Sequence, residues 1–391
     1  MGTGKYENNL INYVLLALAC MNFMQSGSIV LVLYCAYNFF LVEKYVNKTT
    51  ALLFVMALSM VPIAISSSEG ALNELIKTIN FVLPFFIGYN GYNKAENKTL
   101  YIRRTLFAMF AGYAGQIAAM YIYNLSFNTD RRLLVSIWTH TRVSVTLIGL
   151  LSAYVIGYAF SIIIFDSVKM HKVISVIGMI FVVLINLKTA TRTPFVMMIV
   201  VAGCFLLVLL SERTSMKKIK YLSIFIFAGL CVIMALMFNL FGFRDYVLSS
   251  NLFERFSEEG MNTGRFEIAA TYFKYVFDYP WGGDKVQEIV GIGAHNIWQQ
   301  AYDHYGCITG ILLFFVTVNI LVQFIKIIRI DNKKNIDYTL IGIYFALIVQ
   351  MGLEPVLTGY PIIFWGLLLI HGITVQYYND RVNEGIVGSV N

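Results

Sequence analysis

The sequence predicts an all-α protein: a polytopic transmembrane helical bundle of about 12 spans, with one large extracytoplasmic loop that contains amphipathic helices. Hydrophobic residues make up 58% of the 391 residues and charged residues 13%, whereas a soluble chain carries about a quarter charged residues. The apolar residues occur in runs of about 16 to 25, which are long enough to cross a hydrocarbon core as helices. Because these runs leave no room for a separate soluble domain, residues 1–391 are predicted to form a single integral-membrane domain.

The apolar runs give twelve predicted spans. The first two are short, so a single kinked helix is the alternative for that part of the chain. An even number of spans puts both termini on the same side of the membrane. The spans are predicted at residues 10–24, 27–42, 50–66, 72–89, 103–124, 143–165, 172–187, 194–210, 219–241, 306–328, 338–356 and 360–378.

The lysines and arginines predict the orientation. On this topology, 18 of the 29 fall on one side, against six in the short loops of the other side. Positive residues are enriched in cytoplasmic loops, so both termini are predicted to be cytoplasmic. The net charge of +7 is then largely a topology signal, and no nucleic-acid partner is expected.

Several kinds of chemistry have no motif in this sequence. The five cysteines are scattered singly, and all five lie in predicted spans, which is typical of small core residues. There is no GxxxxGK[ST] phosphate loop, no DxD pair to hold a metal-bound nucleotide sugar, and no HExxH or Cys/His metal spacing. No cofactor and no metal site are therefore expected.

Five of the cations on the predicted outer side lie in two short connections between spans, against the insertion bias. Arg131, Arg132 and Arg142 fall between spans five and six, and Lys188 and Arg192 lie in the short turn between spans seven and eight. Arg131 and Arg132 have a plain alternative as tolerated surface charges. Lys188 and Arg192 are four positions apart, about one helical turn, at a membrane boundary. Cations in such a position are costly and usually functional.

Residues 242–305 form the large extracytoplasmic loop, which contains nine acids and five bases. Because the loop is acidic overall, anion binding would depend on particular arginines, of which Arg244 and Arg265 are the best candidates. Arg265 opens a predicted amphipathic helix on the membrane face, capped by Asn262 or Thr263 and ended by Pro280. Free backbone N–H groups in the first turn of a helix favour anions. The apolar positions of this helix are Phe266, Ala269, Ala270, Phe273, Val276 and Phe277.

Glycine-rich turns follow that helix. Gly282 and Gly283 lie within a predicted break at residues 280–284, and the segment 291–298 brings His295 and Asn296 close to span ten. Two other outer histidines, His140 and His304, are interpreted as ordinary interfacial residues. Glu354, at the outer end of span eleven, is interpreted as a capping or ion-pairing group, with a catalytic partner as the alternative.

These motifs, in this order, resemble those of the O-antigen polymerase and O-antigen ligase superfamily. The turn Thr189-Ala190-Thr191-Arg192 is similar to the Ser/Thr-Ser-Arg turn of that superfamily. The loop continues the likeness with Gly264-Arg265, Pro280 with Gly282-Gly283, Ala294-His295-Asn296, and Tyr305-Gly306 before an apolar span. The resemblance covers roughly residues 180–330. One departure is Ala269, where many relatives carry Trp.

The resemblance implies a metal-independent glycosyltransferase of the bacterial cytoplasmic (inner) membrane. Its donor and acceptor would be undecaprenyl-diphosphate-linked oligosaccharides at the outer face, and membrane lipid would surround it. A chain-length regulator and a flippase of the same pathway are candidate partners. Direct attack by the acceptor predicts inversion at the anomeric carbon.

The same resemblance suggests roles for individual residues. Arg192 and Arg265 would hold the diphosphate, since a planar guanidinium suits phosphate oxygens. His295 would be the general base, or alternatively a further diphosphate donor. Asn296 would orient His295 or a sugar hydroxyl. The secondary cations would be Lys188, Arg142 and Arg132, with Arg244 as a further candidate.

Three functions remain open at this point. A polymerase transfers the glycan to another lipid-linked repeat unit, of O-antigen or capsule, whereas a ligase transfers it to a lipid A core or a protein. The composition, rich in Ile, Asn, Lys, Tyr and Phe, is typical of AT-rich genomes and favours the polymerase. A lipid-linked oligosaccharide flippase is the alternative of another class. Transporters tend to carry midplane charges and internal repeats, whereas here the unusual charges lie at the outer boundary and in the outer loop, and no repeat is visible.

Overall fold

The structure is a computed structural model. It describes residues 6–66, 70–126, 133–211, 237–250, 252–253 and 265–385, with isolated positions between 219 and 235. Almost all of the regular structure in these parts of the chain is helical.

The helices follow the chain in order, and one short hairpin interrupts them. Strands β1 (Leu133–Val135) and β2 (Arg142–Ser144) pair antiparallel, with Leu134 opposite Val143. The helices are α1 (Leu10–Cys20), α2 (Gly27–Phe39), α3 (Lys48–Ser66), α4 (Ala71–Ile79), α5 (Leu83–Lys94), α6 (Lys98–Asn124), α7 (Thr146–Phe165), α8 (Lys169–Lys188), α9 (Thr193–Ser211), α10 (Phe243–Leu248), α11 (Arg265–Lys274), α12 (Lys285–Val290), α13 (Ile297–Tyr305), α14 (Cys307–Ile328), α15 (Asn335–Leu353), α16 (Val356–Gly359) and α17 (Ile362–Asn383).

Within the described ranges, eight helices are long and apolar enough to cross a membrane. The chain is therefore compatible with a multi-pass membrane protein. The helices α4 and α5 form one of the eight together, across the break before Pro84. The others are α3, α6, α7, α8, α9, α14 and α15.

The first two predicted spans form two short helices rather than one kinked helix. Helices α1 and α2 have 11 and 13 residues, and at about 1.5 Å per residue neither reaches the ~30 Å of a hydrocarbon core. Left-handed backbone at Asn22, Met24 and Gln25 separates them. The predicted span 219–241 lies largely outside the described residues. Helix α17 covers the predicted span 360–378 from residue 362 onward, but it is not among the eight helices above.

The centre of the bundle is made by α5, α7, α15 and α17, which pack closely through glycines. A Cβ atom at Gly157 of α7 would lie 2.5 Å from the Gly342 carbonyl oxygen of α15. On α17, a Cβ atom at Gly372 would overlap the Phe85 carbonyl oxygen of α5. Small residues of this kind let helix backbones approach in apolar surroundings, where packing stabilises helix association.

Two glycines of α6 give a matched test of this packing. At Gly112 an added Cβ would overlap the Ala17 carbonyl oxygen and lie 2.7 Å from Cys20 Cβ, whereas at Gly115 it would meet nothing within 4 Å. Gly112→Ala is therefore expected to destabilise the protein by about 1–3 kcal/mol. Gly115→Ala is expected to be neutral or stabilising by up to ~1 kcal/mol, because alanine is the better helix former. Thermal unfolding in detergent measures both, and equal unfolding temperatures for the two variants would contradict the α1–α6 packing.

One end of the bundle, here called the loop end, gathers the irregular segments. Gln25 Nε2 donates hydrogen bonds to two residues of the hairpin turn, Ser136 Oγ at 3.3 Å and Thr139 Oγ1 at 3.0 Å. Trp138 of the same turn packs its ring against Phe23 at a centroid distance of 4.9 Å. The segments that meet at this end include residues 21–26, 133–145, 189–192, 280–306 and 354–361.

Candidate functional site at the loop end

The turn that connects α8 to α9 is closed by its own threonines. Thr189 Oγ1 donates to Ile185 O at 2.9 Å and lies 2.9 Å from Thr191 Oγ1. The Thr191 amide donates to Asn186 O at 3.1 Å, and Ala190 adopts left-handed backbone with φ 55°. Arg192, which is partly buried, follows directly. The turn thus holds Arg192 in a defined position at the start of α9.

Glu354 anchors this turn from a distant part of the chain. Its carboxylate accepts a hydrogen bond of 2.6 Å from Thr193 Oγ1, and the residue is only 3% exposed. Thr193 is the first residue of α9 and the neighbour of Arg192. This contact gives Glu354 a structural partner; the capping or ion-pairing interpretation and the catalytic alternative both stay predictions.

Lys188 connects α8 to α6. Its Nζ donates to the carbonyl oxygen of Asn124, the last residue of α6. The Asn124 side chain in turn accepts from the Val135 amide and donates to the Val135 carbonyl, both at 2.9 Å. A lysine at a helix C-terminus stabilises the last carbonyls. Lys188 therefore has a structural contact, and its predicted role as a secondary cation stays a prediction.

A partly open cavity of about 380 Å³ lies beside this region. Its volume is within the usual range of small-molecule sites, about 300–1,000 Å³. His295, the predicted base, is among the residues that line it. The lining consists of Lys77, Asp284, Gln287, Ile292, Gly293, Ala294, His295, His304, Tyr305, Pro355 and Leu357.

The predicted break at residues 280–284 builds one wall of the cavity. Gly282, Gly283 and Asp284 adopt left-handed backbone in succession, with φ of 79°, 80° and 59°. A Cβ atom at Gly282 would lie 2.5 Å from the Gly306 amide nitrogen, so only glycine fits there. The Gly283 amide donates to His304 O at 3.1 Å. This backbone contact brings the Asp284 carboxylate onto the His304 ring.

His304 is the centre of a charged network that reaches into the bundle. Its Nδ1 lies 2.8 Å from Asp284 Oδ2, and its Nε2 lies 3.6 Å from Glu74 Oε2. The Glu74 carboxylate, which is fully buried, also accepts from Lys77 Nζ and, at 3.2 Å, from Tyr305 OH. Burial alone would lower the pKa of His304, but the bonds to Asp284 and Glu74 outweigh it and raise the pKa to about 9. The ring is therefore an imidazolium near neutral pH.

This network predicts a pH dependence of stability. The pKa of His304 is raised from 6.5 to about 9, so its contribution to the free energy of unfolding is complete below about pH 6.5 and is lost as the pH rises through about 9. Besides Asp284 and Glu74, the polar groups around the ring are Lys77 and Tyr305. Thermal unfolding in detergent from about pH 6 to about pH 10 should show this loss. His304→Gln should be less stable at about pH 6 and should show a flatter profile; an identical profile would refute the imidazolium assignment.

The sequence does not predict this network, although part of its signal is present. By its sequence context alone, His304 is interpreted as an ordinary interfacial residue. Glu74 and Lys77 are charged residues three positions apart inside the predicted span 72–89, and charges in a span usually have a partner and a function. The partner, His304, lies 230 positions further along the chain, and no local pattern connects the two.

Asn296 caps a helix. Its side-chain oxygen accepts from the Gln299 amide at 2.9 Å, and its Nδ2 donates to Gln299 Oε1 at 2.6 Å. Gln299 Nε2 donates to Ala269 O at 2.8 Å and so joins α13 to α11. Asn296 therefore has an N-cap role, and its predicted role in orienting His295 or a sugar hydroxyl stays a prediction.

The other predicted cations are not brought to the cavity by the described contacts. Arg142 is exposed on β2, opposite Val135. Arg244 is half exposed on the short helix α10, where its Nε lies 3.6 Å from Asp245 Oδ1. Arg265 is the first described residue of α11, but the Arg265 side chain lies outside the described residues. So do Arg131, Arg132, the proposed caps Asn262 and Thr263, and Gly264.

Residues 354–357 connect the Arg192 turn to the His295 cavity. Glu354 binds Thr193 of the turn, and the next residue, Pro355, lines the cavity. The Leu357 amide donates to Gln300 Oε1 at 2.9 Å, and Gln300 Nε2 donates to Ala294 O, beside His295, at 3.1 Å. The neighbours of two motifs that the sequence separates by about a hundred residues therefore contact the same short segment.

The molecule is thus an all-helical protein with apolar, membrane-length helices and a polar cavity at one end of the bundle. Comparison with known proteins gives no matching family model and no matching curated protein. Within the part of the chain that the structure describes, no three His, Cys, Asp or Glu side chains are grouped as a metal site. Any functional conclusion therefore depends on the residues of the loop end.

Proposed function

We propose that the protein is a polysaccharide polymerase, a membrane-embedded glycosyltransferase that transfers a glycan from an undecaprenyl-diphosphate-linked donor to the sugar of another lipid-linked repeat unit. The observation that carries the proposal is that the start of α9 next to Arg192 and the His295 cavity both contact residues 354–357. A cation for the leaving diphosphate and a base for the acceptor hydroxyl are the two groups that this reaction needs.

In the proposed reaction, an acceptor hydroxyl attacks the anomeric carbon of the donor sugar. The new glycosidic bond forms as the bond between that carbon and the diphosphate oxygen breaks, with inversion. The hydroxyl proton goes to His295, and the lipid diphosphate leaves with the bond electrons. Arg192 and Arg265 would stabilise the charge that develops on the leaving diphosphate, with Lys188, Arg142, Arg132 and Arg244 as outer cations. Such preorganised charge stabilisation is usually the largest catalytic contribution.

The two histidines of the cavity suit different tasks. A general base must be unprotonated before it acts. His304 is held as an imidazolium by Asp284 and Glu74, and its pKa is raised to about 9. His295 is therefore the better candidate for the base, and His304 the better candidate for a fixed charge.

The proposal includes the orientation in the membrane. Twelve spans in the bacterial cytoplasmic membrane would put both termini in the cytoplasm and the loop end at the outer face, as the positive residues predict. The lipid diphosphate would then reach the Arg192 turn from the outer leaflet. No nucleotide sugar would be needed, because the donor already carries its activated glycan.

The experiment is reconstitution of the purified protein in liposomes with the cognate lipid-diphosphate-linked repeat unit. We expect a ladder of longer glycans without a nucleotide sugar, and loss of the ladder in Arg192→Ala and Arg265→Ala proteins that still fold. Transfer only after a lipid A core or a protein is added would replace the polymerase by a ligase. Movement of the lipid-linked unit across the bilayer without lengthening would replace the enzyme by a transporter.

A further inference from the structure

The charges around the cavity are balanced. Lys77 and His304 carry the positive charges, and Glu74 and Asp284 carry the negative ones. Each cation lies against a carboxylate, so neither is held ready for an external anion. A lipid diphosphate brought to this cavity would meet the partly exposed Asp284 carboxylate, and like charges repel. The cavity is therefore poorly suited to phosphate.

The same lining offers hydrogen bonds to a neutral ligand. The Asp284 side chain is 42% exposed, and a carboxylate has about four lone-pair sites, of which the single Nδ1–H of His304 uses only part. The Gln287 side chain, exposed at the cavity wall, can both donate and accept. Sugar hydroxyls also donate and accept, so they complement these groups.

Apolar groups complete the lining. Ile292, Pro355 and Leu357 border the cavity beside the polar residues, and Tyr305 contributes an aromatic ring. A sugar ring has polar edges and apolar C–H faces. A cavity whose lining combines hydrogen-bonding and apolar groups fits such a ligand better than it fits a compact ion.

We propose that this cavity binds an uncharged sugar ring of the glycan, with Asp284 and Gln287 as the residues that hydrogen-bond its hydroxyl groups. Asp284 is held in place by His304, which acts as a positioning residue and is itself fixed by Glu74. The assignment of this sugar to the acceptor rests on the proposed function, since His295 lines the same cavity and would take the proton of the acceptor hydroxyl.

The test is equilibrium binding, independent of turnover. The probe is the repeat-unit oligosaccharide freed from its lipid diphosphate by mild acid, titrated calorimetrically into the full-length protein in detergent. Asp284→Asn is expected to weaken binding about tenfold or more, because a hydrogen bond to a charged group is lost. Asparagine tolerates the left-handed backbone of this position, so the turn is expected to survive. Glu288→Gln is the matched control, since Glu288 is an exposed acid of α12 that pairs with Lys285 and does not line the cavity.

A second variant and a competitor keep the result decisive. Gln287→Ala changes an exposed side chain and should weaken binding several-fold in a folded protein, even if Asp284→Asn proves unstable. Inorganic pyrophosphate should not displace the oligosaccharide. Displacement by pyrophosphate, or unchanged affinity in Gln287→Ala and Asp284→Asn, would overturn the sugar site. Sugar binding with this dependence in a protein that makes no polymer would uphold the sugar site and refute only the polymerase.

Discussion

Arg192→Lys is expected to reduce the rate of polymerisation by on the order of 100-fold or more. The guanidinium presents a planar set of donors that can hold two phosphate oxygens at once, whereas an ammonium is a single point charge. The position of Arg192 is defined by the hydrogen bonds between Thr189 and Thr191 and between Thr193 and Glu354. A lysine at this position keeps the charge but loses the paired contact with two phosphate oxygens. The initial rate of glycan lengthening with a saturating donor measures the effect.

The control for Arg192→Lys is Arg329→Lys, at the end of α14 remote from the loop end. It should lengthen glycans at the wild-type rate. Both variants should unfold at the wild-type temperature, because the replaced charge is retained. Near-normal turnover in Arg192→Lys would remove Arg192 from the diphosphate site and leave the turn with a structural role only.

His295→Gln is expected to reduce the rate by about 10²- to 10⁴-fold, the usual contribution of a general base. Glutamine can still hydrogen-bond in the cavity but cannot accept a proton from a hydroxyl group. The effect should therefore appear in kcat, with little change in the KM for the acceptor. Single-turnover lengthening of a labelled acceptor separates these two quantities.

His140→Gln is the matched control for His295→Gln. His140 also lies at the loop end, in the exposed turn of the hairpin, where its ring forms a hydrogen bond with Tyr123 OH of α6. Its replacement should leave turnover unchanged. Substantial activity in His295→Gln would support the other interpretation of His295, as a hydrogen-bond donor to the diphosphate. A loss of acceptor binding without a change in kcat would instead make His295 part of the sugar site.

The long apolar helices could be predicted from the sequence because the hydropathy that identifies them is summed over many residues. Helices α3, α6, α8, α9 and α14 agree with predicted spans to within a few residues at most ends. The first two spans were overestimated because hydropathy does not register left-handed backbone, as at Met24. The hairpin was also missed. Val143 and Ser144, which the apolar run assigned to a span, belong to β2 and pair with the strand before them.

The candidate site could be predicted only in part. The turn at Arg192 and the break at Gly282-Gly283 follow from local residue chemistry, and the structure has an element boundary at each. The N-cap role of Asn296 could also be predicted, because an asparagine directly before a helix is a good N-cap.

The charged network of the cavity depends on contacts between distant residues. Glu74, Asp284 and His304 lie in three segments, and their meeting requires Gly282 to pack against the backbone of Gly306. Residue type and spacing do not encode such a meeting. The hydrogen bond between Glu354 and Thr193, across 161 positions, could not be predicted from the sequence for the same reason.

The most direct test of the central claim is the release of free undecaprenyl diphosphate as the glycan lengthens. The purified protein in liposomes would receive only the cognate lipid-linked repeat unit, in the presence of EDTA. We predict one released lipid diphosphate for each repeat unit added, with both products lost in Arg192→Ala. A protein that moves the lipid-linked unit across the bilayer with its glycan unchanged, and releases no diphosphate, would contradict the account.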